Sequence, residues 1–107
     1  MNEETKKLDA EARELQPKIH EAARAKAILE DTIVADFLEQ WDDHFLKSIQ
    51  ASAADQTDFR EDCYRMTRAS KMFRENLKHF LTTGKMANDD LLRINERKKT
   101  LKERMLG

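Results

Sequence analysis

Apolar residues near the N-terminus recur at alternating steps of four and three, and charged residues occupy the remaining faces. This is the heptad spacing of a helix that packs along a narrow seam. Pro17 predicts a kink or a second helix start, because proline lacks the backbone donor and clashes with the preceding turn. A short helix with so narrow a seam needs another chain or the C-terminal helix as its partner. We therefore interpret residues 1–25 as an association arm with the seam Leu8, Ala12, Leu15, Ile19 and Ala22.

The segment that follows has a broad apolar face and predicts the main core helix. Phe37, Trp41 and Phe45 recur along it at four-residue steps, which places them on one side of a helix. The opposite side is acidic, and such a charged face is usually solvated. Its members are Glu30, Asp31, Asp36, Glu39, Asp42 and Asp43.

The stretch "ASAADQTDFRED", residues 51–62, interrupts the apolar pattern and predicts a turn. Asp58, with Glu61 three residues later, has the spacing of a variant capping box at the start of the next helix. Cys63 lies on the apolar stripe of that helix and is expected to be a buried thiol, and Gly84 is expected to end the helix. Residues 26–84 therefore predict an antiparallel helical hairpin. The predicted core residues are Phe37, Trp41, Phe45, Phe59, Phe73, Leu77 and Phe80.

Residues 85–107 predict a separate C-terminal helix, which Asn88 or Asp89 can cap. Its apolar stripe is thin and its surface is basic, so we expect it to dock only partly or to pair with another chain. Exposed basic side chains could attract phosphates in a salt-dependent way but could not read a sequence. The candidate phosphate contacts are Arg93, Arg97, Lys98, Lys99, Lys102 and Arg104.

The composition favours an all-α fold. Of the 107 residues, 38% are charged and 39% hydrophobic, with only two glycines and one proline, which suits long exposed helices better than sheets with tight turns. The 20 basic and 21 acidic residues nearly cancel, so no global field favours nucleic acid or an anionic membrane. A single cysteine, with no apolar signal and no run of about 18 apolar residues, points to synthesis in a reducing cytoplasm.

The sequence contains no recognisable pattern of catalytic or metal-binding residues. His20, His44 and His79 have Pro17, Trp41 and Asn76 three residues before them, so the Glu-x-x-His pairs of helical di-metal sites are missing. There is no glycine-rich phosphate loop. We therefore expect no cofactor, and an enzyme is the least favoured class of function.

Residues 26–92 resemble a group of small helical proteins from tailed bacteriophages and prophages. The shared layout is an acidic-aromatic helix, a small-residue turn followed by Asp-x-x-x-Arg-Glu, and a helix that ends in Gly-Lys. Here Asp55, Arg60 and Glu61 lie at the turn, with four residues between the first two unless Asp58 is the counterpart; Gly84 and Lys85 close the segment. The resemblance implies a phage protein in the infected bacterial cytoplasm or in the virion.

These observations favour a protein that acts by protein–protein association and forms a homo-oligomer. The resemblance to phage proteins implies, as its expected role, an accessory in phage assembly or DNA packaging, comparable to a small terminase subunit. One alternative is an inhibitor that covers a host or defence protein with its acidic helix face. The other is a nonspecific nucleic-acid binder that uses the C-terminal helix. A membrane partner is not expected.

Overall fold

A computed structural model describes residues 3–106. They form three helices, α1 (Glu3–Glu30), α2 (Thr32–Ala51) and α3 (Thr57–Leu106), and this part of the chain contains no strand. The predicted all-α fold is confirmed. None of the helices in the described range is long and apolar enough to cross a membrane.

The first helix is continuous through Pro17, so the second helix start predicted there does not occur. The break lies instead at Asp31, which has an extended backbone between α1 and α2. Its side chain accepts hydrogen bonds from the backbone N–H groups of Ile33 (2.8 Å) and Val34 (3.3 Å). Asp31 is therefore the N-cap of α2, because its carboxylate satisfies two free donors of the first turn, and it is not simply part of a solvated acidic face.

The predicted turn is present and spans residues 52–56. Helix α3 begins at Thr57, so Asp58 lies inside its first turn and is not the predicted cap. The side chain of Arg60 holds the turn by donating to the carbonyl oxygens of Ala53 and Ala54, the latter at 3.1 Å, and to Ser52 Oγ at 3.1 Å. Arg60 thus has a structural role as a clamp on the carbonyl oxygens of the turn.

Helix α3 does not end at Gly84, and the prediction of a separate C-terminal helix capped by Asn88 or Asp89 is wrong. Gly84 has no left-handed φ angle. A Cβ atom added to it would lie only 2.0 Å from Ala22 Cβ. The glycine is therefore needed for a close approach of α1 to α3, and the helix continues through it.

The chain divides into two compact units. The terminal unit contains the described residues up to Ala25 and from His79 onward. Here the seam of α1 packs against the C-terminal half of α3, which is one of the two partners predicted for the arm. Leu8, Leu15 and Ile19 are half-buried along this seam. The residues buried in this unit include Ala25, Ala87, Ile94 and Leu101.

The hairpin unit contains residues 26–78, in which α2 and the first part of α3 run antiparallel on either side of the turn. Cys63 is 3% exposed, Ser70 4% and Leu77 8%, so these three mark the line along α3 that α2 covers. Cys63 is a free thiol in this interface, which confirms its predicted burial.

Candidate functional site

The aromatic residues predicted to form the core are only partly covered. Leu77 is buried, and Trp41 and Phe45 are half-buried. The prediction is wrong for four phenylalanines, which are exposed: Phe37 (58%), Phe59 (46%), Phe73 (44%) and Phe80 (41%). For Phe59 and Phe73 the reason is geometric, because the apolar stripe of α3 is two residues wide and α2 covers only the line of small residues through Cys63 and Ser70.

Trp41 joins α2 to α3 through its polar edge. Its Nε1 donates to the backbone carbonyl of Met66 at 2.8 Å. The ring lies between two other aromatic rings of α2, with centroids 6.0 Å from Phe37 and 5.1 Å from Phe45. Such tilted pairs add to the stability given by area alone. The indole is thereby held in one orientation, and its donor is satisfied inside the chain.

A polar cluster between α2 and α3 was missed by the sequence analysis. Ser70 Oγ donates to Asp42 Oδ1 at 2.7 Å. Arg74 Nη1 donates to Asp42 Oδ2 at 2.9 Å and to Ser70 Oγ at 2.7 Å. Asp42 therefore belongs to the interface and not to a solvated acidic face. Because the three side chains meet only at one alignment of α2 and α3, they fix the register of the hairpin.

Between α2 and α3, the exposed aromatic residues border a shallow groove of about 250 Å³. No charged residue lines it; the lining residues are Val34, Phe37, Leu38, Trp41, Ala69, Ser70 and Phe73. Ile33, one turn before Phe37, is 79% exposed, and Met66, one heptad before Phe73, is 42% exposed. We call the surface formed by Ile33, Phe37, Phe59, Met66 and Phe73 the apolar face.

The basic residues of the C-terminal part of α3 do not form one free patch. Arg93 pairs with Asp90 in its own helix at 2.8 Å. Arg97 donates twice to Glu4 Oε1 of α1, at 2.7 and 3.0 Å. Three of the six candidate phosphate contacts are thus engaged within the chain, since Lys98 also pairs with an α1 carboxylate. The three without an ion pair to another described residue are Lys99, Lys102 and Arg104.

The histidines and the possible metal ligands of the described residues are not clustered. His20, His44 and His79 are all exposed. Within residues 3–106, no three His, Cys, Asp or Glu side chains are grouped so that they could hold a metal ion. The apolar face is a surface on which burial of carbon atoms could contribute to recognition.

Comparison with known proteins finds no matching family model, no similar curated protein and no similar solved structure. The resemblance of residues 26–92 to phage proteins stays a prediction from the sequence.

Proposed function

We propose that this chain is a noncatalytic interaction protein whose binding surface is the apolar face of the hairpin unit. One observation carries the proposal: five large apolar side chains on one side of the hairpin are 42–79% exposed. Exposed apolar area grouped in this way is typical of a surface that binds another protein, because its burial is the main favourable contribution to association.

The setting we propose is the assembly of a phage particle or the packaging of its DNA. The resemblance of residues 26–92 to small phage proteins supports this setting, and an accessory that works by association needs no catalytic centre. The protein would then act in the infected bacterial cytoplasm or in the virion. An inhibitor that acts on a host or defence protein is the competing role, and it would differ in the identity of the bound protein.

Direct binding of nucleic acid is the less favoured alternative. Arg93, Arg97 and Lys98 already have carboxylate partners in the chain, so phosphates would have to compete with them. The remaining basic residues could contribute only weak, salt-sensitive attraction. Titration of the protein with duplex DNA at low and moderate salt measures this contribution directly.

Site-specific photo-crosslinking in phage-producing bacteria tests the proposed function. A photoreactive phenylalanine analogue replaces Phe37 in one variant and Leu46 in a control. The two sites suit a comparison because both lie on α2 and are 58% and 52% exposed, but only Phe37 belongs to the apolar face. We expect a discrete crosslinked protein from position 37 and none from position 46.

The identity of the product separates the roles. A second copy of the chain, a head protein or a packaging protein supports an assembly role, whereas a host protein alone supports inhibition. Equal labelling from the two positions, or no protein product from either, would show that the apolar face is not a binding surface.

A further inference from the structure

The apolar face offers a partner almost nothing but carbon. The two polar groups at the groove, Trp41 Nε1 and Ser70 Oγ, already donate to Met66 and Asp42 inside the chain. A phosphate or a charged peptide would lose water there without gaining a hydrogen bond, which is unfavourable. The chemistry of the face therefore requires apolar side chains from the partner.

The spacing of the face indicates that the partner is helical. Phe59, Met66 and Phe73 of α3 are seven residues apart, as in the seam between packed helices. Ile33 and Phe37 of α2 add a second row at a step of four. Two rows on two antiparallel helices are what one half of a four-helix bundle presents, and its complement is another antiparallel pair. A second hairpin unit of the same chain has this form.

The size of the face is sufficient for a dimer. Its five side chains are on average about half exposed; three are phenylalanines, which bury roughly 150–250 Å² each, and we take the lower part of this range for Ile33 and Met66. Two facing copies would thus bury about 1,000 Å² from these side chains alone, which reaches the size of a specific interface before the rim is counted.

From these observations we propose that two copies of the chain associate through the apolar face, so that their hairpin units form a four-helix bundle. The inference rests on the proposed function, because it names a second copy as the partner of the same surface. In such a twofold arrangement each copy contributes the same residues, so Phe37 and Phe73 of both chains lie in the shared core.

Sedimentation equilibrium of the purified full-length chain tests the proposal. We expect a mass of twice 12.6 kDa at micromolar concentrations. Phe37→Glu and Phe73→Glu should each raise the dissociation constant of the dimer by about 30-fold or more, as expected for residues at the centre of an interface. Leu46→Glu and Met72→Glu are matched controls on the same two helices, 52% and 56% exposed outside the apolar face, and should leave the mass unchanged.

The wild-type mass alone can overturn the proposal, even if a variant fails to fold. A mass of 12.6 kDa up to about 100 μM, where a specific interface of this size should be occupied, rules out the dimer. A dimer that both face variants leave intact, with helical content retained, would mean that another surface joins the copies. If the pure chain is monomeric but position 37 crosslinks to a different protein in cells, the dimer proposal fails and the proposed interaction function stands.

Discussion

Replacing Gly84 with alanine tests the close approach of α1 to α3 in the terminal unit. The added Cβ atom would lie 2.0 Å from Ala22 Cβ and 3.2 Å from the carbonyl oxygen of Lys18. Nonbonded carbon atoms prefer about 3.5–4.0 Å, so α1 would have to move by about 1.5 Å at this point. No change of rotamer can relieve the contact, because both methyl groups are fixed directly to helical backbone.

Two effects of opposite sign determine the expected change in stability. Alanine is better than glycine in a helix interior by about 1 kcal/mol. Overpacking a close interface destabilises by typically about 1–3 kcal/mol, and a contact between two rigid methyl groups belongs at the upper end. We therefore expect Gly84→Ala to lower the free energy of unfolding by about 1–2 kcal/mol.

Urea unfolding followed by far-UV circular dichroism, at one fixed protein concentration, measures this change. The double variant Ala22→Gly/Gly84→Ala moves the methyl group from one helix to the other and should restore stability to within about 1 kcal/mol of the wild type. Asn88→Ala, at an exposed position one turn later, is the control for helix propensity and should be neutral or slightly stabilising. A Gly84→Ala variant more stable than the wild type would refute the close approach.

Further substitutions test the contacts that hold each unit, all by the same unfolding assay. Arg60→Ala should destabilise the chain by about 1–3 kcal/mol, because it removes the donor to the turn carbonyls; an unchanged midpoint would show that water replaces it. Asp42→Ala should cost about 1–3 kcal/mol more than Asp43→Ala, since only Asp42 bonds across the hairpin, and equal losses would contradict this assignment. Arg97→Ala should cost less than about 1 kcal/mol, because Arg97 and Glu4 are both more than 40% exposed; a larger loss would mean that this pair organises the terminal unit.

The helical class of the fold and the place of the turn could be predicted because both depend on local signals. Periodic apolar residues define the helices, and small polar residues define the turn. The end of the last helix could not be predicted in the same way. Gly84 has the ordinary signature of a helix end, and only the distance to Ala22 shows that its missing side chain serves packing.

The structural roles of Asp31, the N-cap of α2, and Asp42, in the hairpin interface, were hidden by their surroundings in the sequence. Asp31 and Asp42 both lie within an acidic run that is typical of a solvated face. Asp31 could have been recognised as a cap, because an aspartate just before an apolar helical pattern is a common N-terminal signal. No local signal distinguishes Asp42 from Asp43, since its role depends on Ser70 and Arg74, 28 and 32 residues later.

One line of residues along α3 is buried in one part of the chain and exposed in another, and this difference indicates where the candidate site lies. Members of this line are seven residues apart, which is the spacing of residues that pack against another helix. The spacing does not show whether that helix belongs to the same chain or to a second one. Phe80, at the start of the terminal unit, is still 41% exposed, but from Ala87 onward the line is buried where α1 packs against α3, at Ala87, Ile94 and Leu101. In the hairpin unit the same line is 42–46% exposed and carries Phe59, Met66 and Phe73. Apolar surface that the chain has not used for its own folding therefore remains along this line in the hairpin unit, and there we propose that a partner binds.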